Sequence, residues 1–389
     1  MDFTDAVLPA ELTALVDQVR DAAQRGAVLR VRGHGSKDFL GDPSRGEVLD
    51  TSAWRGIEQY EPSELVIKAR AGTPLSEVEA ALAERGQYLA FEPPRWAFQT
   101  QADGQPSLGP TIGGVVASGF SGPGRASRGA VRDHVLGAGV LNGRAEVLRF
   151  GGSVMKNVAG FDLSRLMAGS MGTLGVILDV TLKVIPQPVA TATLRMDMAE
   201  AEALAQVNQW AAQPLPLDAS AWWDGLLVLR LRGAGAAVSA AVERLCRERQ
   251  GELIAGPSAE PFWQGLRDHE DEFFQRARAA VAAAGHRGVT LWRVSVPPTS
   301  APLGLPGEML TEWFGAQRWV CTAAPAAAVH EAAARAGGHA QPFVSPTPQP
   351  LVQGGGLSPV LYRLHQRVQA SFDPDGVFNT GRLAALTSP

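Results

Sequence analysis

Apolar positions in the first half of the chain switch between helical and strand periods, and the switches outline an α/β framework. Leu12, Leu15, Val16 and Val19 recur at helical spacing between Pro9 and Arg25, and Gly26 is placed to end that helix. A β-rich run, Ala27–Val31, opens directly into Arg32-Gly-His-Gly-Ser-Lys37. Strand-like pieces at Glu47–Asp50, Ile57–Tyr60 and Leu65–Arg70 lead to a helix over Pro74–Arg85, with Thr73 as N-cap, Pro74 at its first position and Gly86 beyond its end. Strands at Val135–Leu141 and Ala145–Phe150 flank Asn142-Gly143, a hairpin signal because both residues tolerate positive φ. Leu174–Ile185 is again β-rich and stops at Pro186 and Pro188.

After Pro188 the texture changes. Ala-rich helical pieces (Ala199–Trp210, Ala236–Arg249, Asp268–Ala284) alternate with strand pieces (Leu226–Leu231, Thr290–Val296, Arg318–Thr322), an order that suggests an α+β unit on an antiparallel sheet. The proline- and glycine-rich stretch Gln341–Gly356 reads as a surface loop or linker. A helix over Val360–Ser371 and the string FDPDGVFNTGR close the chain. At 389 residues, two domains are expected rather than one core.

Composition mainly excludes. With 45% hydrophobic and 19% charged residues the chain is globular, and a net charge of -4 gives no footprint for nucleic acid. No apolar run is long enough for a membrane span and the N-terminus is acidic, so a cytoplasmic protein is expected. Cys246 and Cys321 form no C-x-x-C and cannot alone hold an iron–sulfur cluster or zinc. The seven histidines never fall at compact ligand spacing, so no metal is expected and solvated histidines are the default, although His286 and His339 could face a pocket. The tryptophans Trp222, Trp223, Trp292, Trp313 and Trp319 read as core or interface.

Glycine carries the chemistry. A strand running into RGHGSK presents successive amides without bulk at Gly33 and Gly35, a concave anion site to which Ser36 adds a hydroxyl and Arg32 or Lys37 a charge. In PTIGGVVASG, Gly113 and Gly114 permit close approach to a flat ligand, and Ala117, Ser118, Gly119, Ser121 and Gly122 leave room. Gly169-Ser-Met-Gly172-Thr-Leu-Gly175-Val-Ile177 repeats that economy. Three such loops suit a large, flat, phosphate-bearing cofactor. Gly137-Ala-Gly139 is a decoy: its spacing is G-x-G-x-x-x-G and it lies in a hairpin, outside the Rossmann context.

RGHGSK, PTIGGVVASG, KNVAGFDLSRLMAGSMGTLGV and FDPDGVFNTGR together resemble the vanillyl-alcohol-oxidase (PCMH-type) FAD-binding family. GEVLDTSAWRGIEQYEPSELVIKARAGTPLSEVEAAL and QPLPLDASAWWDG are similar, more narrowly, to the FAD-binding subunits of bacterial glycolate oxidase complexes. The resemblance implies an α+β, two-subdomain FAD-binding fold over 1–189 (subdomains about 1–105 and 106–189), a smaller α+β cap with an antiparallel sheet over 190–350, and a segment 351–389 returning to the FAD domain. It implies non-covalent FAD. Gly33, His34, Gly35, Ser36 and Lys37 would form the first pyrophosphate loop, with Arg32 beside it. Pro110, Thr111, Ile112, Gly113 and Gly114 would pass along the cofactor, and Gly119 and Ser121 would close the second loop. Lys156, Gly160 and Asp162 would brace the loop beside the flavin. Gly172, Gly175, Val176 and Ile177 would lie against the adenine end, and Asn379 would return to the flavin side. His34 sits between two glycines, whereas the family's FAD-linking histidine follows a glycine pair, which favours a cradling role over covalent attachment.

The implied partners are a larger catalytic flavin subunit and an iron–sulfur subunit, with any membrane attachment peripheral, at the inner face, through a partner. Related D-2-hydroxy-acid dehydrogenases carry H-x-G-D-G-N-x-H, absent from this chain, so no catalytic residue is assigned. Met171 and Thr380 stand where the wider family usually has Glu and Pro. Two other readings remain open: a free-standing FAD-dependent 2-hydroxy-acid oxidase or dehydrogenase, and a cofactor-free scaffold.

Overall fold

The computed structural model describes residues 8–41, 46–96, 108–152, 162–285, 288–346 and 359–378. Helix α1 (Ala10–Arg25) buries Leu12, Leu15, Val16, Val19 and Ala22 and ends at Gly26, whose φ of 64° glycine adopts without a Cβ clash. β1 (Leu29–Arg32) then pairs in parallel with β2 (Glu47–Asp50). β3 (Ile57–Glu61), β4 (Val66–Arg70), α2 (Leu75–Ala83) and β5 (Gln87–Tyr88) follow. Next come α3 (Ile112–Ser118), α4 (Arg125–Arg128), α5 (Val131–His134), β6 (Val135–Leu141), β7 (Val147–Gly151), α6 (Leu163–Leu166), β8 (Val176–Lys183) and β9 (Ile185–Pro186).

One antiparallel sheet takes the order β3-β4-β8-β6-β7. A division near residue 105 therefore does not separate two sheets, because strands from both sides of it share this one. Along β8, Val176 and Leu178 join the core made with α1, β1 and β2, whereas Ile177 and Val180 join the core made with α2 and α3. Both faces of the strand are thus buried, and the alternation shifts at the irregularity between Ile177 and Asp179, which puts Val180 with Ile177. The described end of the closing string lies here: the Leu29 amide donates to the Val377 carbonyl at 2.7 Å, and Leu29 bridges Phe378.

Two local expectations fail for instructive reasons. Thr73 does not cap α2; its hydroxyl donates to the Arg70 carbonyl at 2.6 Å and accepts from the Gly56 amide at 2.9 Å. Pro74 becomes the N-cap and the helix starts at Leu75. In the β6–β7 connection neither Asn142 nor Gly143 takes positive φ, and Ala145 does, at 59°. The Asn142 carboxamide oxygen accepts from the amides of Arg144 and Glu146, at 3.0 and 2.9 Å, and organises the turn. Gly143 is needed instead because a Cβ there would strike Asp373 of the returning segment.

Beyond Pro188 the chain forms β10 (Ala190–Asp197), α7 (Glu200–Ala211), β11 (Leu217–Trp223), β12 (Leu226–Gly233), α8 (Gly235–Arg249), β13 (Glu252–Ile254), α9 (Gly256–Asp268) and α10 (Glu272–Ala284). β14 (Thr290–Ser295), β15 (Glu308–Glu312), β16 (Gln317–Thr322), α11 (Ala326–Arg335), β17 (His339–Val344) and α12 (Pro359–Phe372) complete it. The eight strands form one antiparallel sheet in the order β13-β10-β12-β11-β15-β16-β14-β17. The start of the expected linker, Gln341 to Val344, is thus a strand. Pro342 is tolerated because β17 is at the sheet edge.

The two sheets meet across a seam that mixes aromatic packing with buried charge. Trp96 and Phe120 pack on Phe343, and the Trp96 indole donates to Nδ1 of His269 at 3.1 Å. Beside them Arg230, fully buried, donates to Asp218 at 2.6 Å and to Glu92 at 2.7 Å. Arg232 also pairs with Glu92, and Arg128 with Asp218, each at 2.7 Å. Burial pushes the Glu92 carboxyl up, but Arg230 and Arg232 outweigh it and hold the group at about 2. A carboxyl depressed from 4.5 stabilises the fold fully above pH 4.5 and loses that contribution as the pH falls toward 2. Glu92→Gln is therefore expected to cost about 3–5 kcal/mol at neutral pH, by leaving Arg230 under-compensated. In thermal melts, the difference between parent and variant should shrink between pH 4.5 and 2, the range over which the carboxyl titrates; a gap constant with pH would count against this assignment.

Candidate functional site

The loop after β1 and the loop before α3 face one another because backbone hydrogen bonds stitch the second loop onto the β4–α2 turn. The Leu75 amide donates to the Pro110 carbonyl at 2.8 Å, the Ile112 amide to Thr73 at 2.9 Å, and the Gly113 amide to Ala71 at 2.9 Å. His34 bridges the two loops, with Nδ1 3.2 Å from the Gly109 carbonyl. The third loop is tied to the end of α3: the Gly169 amide donates to Val116 at 3.0 Å and the Met171 amide to Ala117 at 2.8 Å. Between them lies a cleft lined by residues of all three loops.

Of the residues expected to bind the cofactor, Arg32, Gly33, His34, Gly35, Ser36, Lys37, Thr111, Gly113, Gly114, Gly172, Gly175 and Ile177 line this cleft. The others within the described residues do not. Ile112 and Val176 are core residues, and the Pro110 carbonyl is taken up by Leu75. Gly119, with φ at 67°, terminates α3. Ser121 accepts from the Val131 amide at 3.2 Å. Asp162 caps α6 and pairs with Arg165 at 2.7 Å. Lys156, Gly160 and Asn379 lie outside the described residues. Val31, Asp38, Thr51 and Ala71 also line the cleft and were not expected. Thr51 arrives through the parallel β1–β2 pairing and Ala71 through the stitched turn, and neither long-range contact has a local sequence signal.

The glycines divide by what a side chain would meet. At Gly113 a Cβ would lie 2.5 Å from that of Ala71, so this glycine serves the packing of α3 on the β4–α2 turn. At Gly114 the nearest atoms are Thr111 Oγ1 at 3.3 Å and Lys37 Nζ at 3.8 Å, so its bare face opens on the cleft. Gly33 lies against Thr111, with Oγ1 2.5 Å from its ideal Cβ position. Gly35 has φ at 74° and sits against the Arg32 guanidinium, which is itself held by Asp38 at 2.7 Å.

These loops fit a pyrophosphate. Among the described residues, no group accepts a hydrogen bond from the amides of Gly33, His34, Gly35 or Ser36, four consecutive donors on the cleft wall. Such donors require an anion or water. Lys37 adds charge, with Nζ 3.2 Å from Ser36 Oγ and 5.2 Å from the centre of the Trp96 ring.

The histidines correct one expectation. His134 and His269 are buried rather than solvated, and burial first, then Arg293 and Arg278, pushes His269 well below its ordinary value. His269 stacks on Phe274 at 4.3 Å and accepts from Trp96, so it is a neutral core residue. Among the described residues there is no group of three or more side chains able to hold a metal ion.

Comparison with known proteins agrees with this geometry. The FAD binding domain family matches residues 5–151. The chain is 42% identical over 375 residues to the glycolate oxidase subunit GlcE of Escherichia coli K12, covering 96% of this chain and 97% of that protein. It is 39% identical over 84 residues to the glycolate oxidase subunit GlcD of Bacillus subtilis, covering 22% of this chain and 18% of that one. Among solved structures, an alkyldihydroxyacetonephosphate synthase shares the fold with a TM-score of 0.61 at 15% identity, over 96% of this chain and 76% of that one. The fold is thus the α+β, PCMH-type flavoprotein fold, its cofactor is FAD, and the chain belongs to the family of GlcE glycolate oxidase subunits.

Proposed function

We propose that this chain is the FAD-binding subunit of a glycolate (D-2-hydroxy-acid) oxidase or dehydrogenase complex, carrying electrons from 2-hydroxy-acid oxidation to a partner subunit. The observation that carries the reading is the run of four amides, Gly33 to Ser36, for which no group among the described residues is an acceptor, facing Gly114 across the cleft. The amides and Lys37 would hold the pyrophosphate, and Gly114, Gly172, Gly175 and Ile177 would flank the flat parts of the cofactor. FAD when bound supplies a two-electron acceptor for a CH–OH carbon. The engagement of His34 with Gly109 supports non-covalent retention.

Residues 1–189 would form the FAD domain, 190–350 the cap and 351–389 a returning segment. The chain has only Cys246 and Cys321, short of the four thiolates a cluster takes, so an iron–sulfur subunit and a larger catalytic flavin subunit are the partners that complete electron transfer. Among the described residues no helix is long and apolar enough to cross a membrane. A cytoplasmic location with peripheral attachment through a partner fits that observation.

Two glycine variants separate binding from folding. Gly114→Val places a side chain in open cleft and is expected to give a folded chain that purifies without the yellow of bound flavin. Gly113→Val strikes Ala71 and is expected to lower the melting temperature whether or not FAD is present. A Gly114→Val protein with full flavin content would show that the cofactor lies elsewhere.

The subunit reading is tested in an anaerobic cuvette. The isolated, flavin-loaded chain is expected to be reduced by glycolate or D-lactate much more slowly than the assembled complex. Reduction at the same rate would favour a free-standing enzyme.

A further inference from the structure

The cleft has a neighbour. A second cavity shares Ser118 and Met171 with it and extends under β14 and β17 of the large sheet. Four of its lining side chains are basic or titratable to basic: Arg125, Arg132, Arg293 and His339. Among the described residues that line it none is acidic. Arg125 and Arg293 lie inside, part-buried, while Arg132 and His339 stand at the exposed rim.

Buried cations are normally paired, because removing a guanidinium from water without a partner is unfavourable. These two are not. Among the described residues Arg293 makes no ion pair, and its Nε is buried with no acceptor. Both guanidiniums lie over aromatic rings instead, Arg293 at 4.9 Å from Phe120 and 5.4 Å from Trp313, Arg125 at 4.4 Å from Trp313. Aromatic faces offset only part of the desolvation and supply no hydrogen-bond acceptor in the guanidinium plane.

The carboxylates nearby do not supply the missing charge. Burial pushes Glu312 up to about 8, and it accepts from the Trp319 indole at 2.7 Å. Asp133 is exposed and engaged with the Ala130 amide at 2.8 Å. Burial and the charge of Arg125 lower Arg293 to about 10, which leaves it cationic at neutral pH.

We propose that this cavity is an anion site for a compact carboxylate, with Arg293 and Arg125 as its binding residues and Arg132 drawing the anion in from the rim. The proposal rests on the FAD reading of the adjoining cleft only for its substrate class, a small 2-hydroxy acid or its 2-oxo product. The planar fork of a guanidinium matches a carboxylate edge, and the wall shared at Ser118 and Met171 would set that carboxylate beside the cleft.

The test is calorimetric titration of the purified chain with glycolate and with oxalate at constant ionic strength, in FAD-loaded and FAD-stripped forms. Glycolamide serves as the uncharged control. Saturable binding of both acids and none of glycolamide is expected. Arg293→Gln and Arg125→Gln should each weaken binding by roughly tenfold or more, with flavin content unchanged and Arg293→Lys intermediate. Should Arg293→Gln fail to fold by circular dichroism, Arg125→Gln decides. No saturable binding by the parent, equal binding of glycolamide, or parent-like binding by the variants overturns the proposal. A chain that binds glycolate but never takes up FAD would sink the flavin reading and leave this site standing; the reverse result would do the opposite.

Discussion

Arg230 is the interaction on which the arrangement of the two sheets depends. Its guanidinium belongs to β12 of the large sheet, yet one of its two carboxylate partners, Glu92, comes from the chain just beyond β5. The Gly124 amide also donates to Glu92, at 2.8 Å, so the same carboxylate fixes the segment that leads into α4 and Arg125. A buried ion pair of this kind contributes little net stability over an apolar replacement, but it has one geometry. Hydrogen bonds from Trp313 to the Gly122 carbonyl at 3.0 Å and from Ser127 to the Asp218 carbonyl at 2.6 Å hold the same register. The second cavity draws walls from both halves of the chain, so its shape depends on that register.

Within the flavin half, the governing constraint is the approach of backbones. Loop two is hydrogen-bonded to the β4–α2 turn through three successive amide–carbonyl contacts, which brings α3 so near Ala71 that only glycine fits at 113. That approach in turn sets Gly114 opposite the RGHGSK amides. The paired glycines therefore have different physical reasons, one for packing and one for room, although they are indistinguishable as letters.

What the sequence made legible follows from this. The strand-to-loop transition at Arg32, the three glycine loops and the returning C-terminal string are local patterns, and the structure brings all three loops to one cleft. Helix α1 was legible because its apolar spacing and Gly26 agree. The α2 cap was misjudged because Thr73 had a better bond available from Gly56, a partner that only the fold supplies. Strand β11 carries no alternation, since Asp218, Ala219, Ser220 and Ala221 are buried in succession. The arginine cavity was illegible for a different reason: Arg125, Arg132, Arg293 and His339 come from three separate stretches that only the seam unites.

Met171 explains how two sites with the same electrostatic bias can adjoin. It departs from the Glu usual in the wider family, adopts φ of 53° and is buried, its amide bound to Ala117. A non-glycine residue there carries a modest conformational cost, about 1–2 kcal/mol, so the position is held by its surroundings rather than by preference. Its side chain stands in the wall shared by the cleft and the cavity, where a carboxylate would add a negative charge to the edge of a cavity lined by Arg125, Arg132 and Arg293. The apolar thioether adds none and packs against the Phe120 and Trp96 cluster that closes the seam. A departure that looks like a loss of chemistry in the sequence is, in the fold, an apolar partition between two surfaces that both present cations.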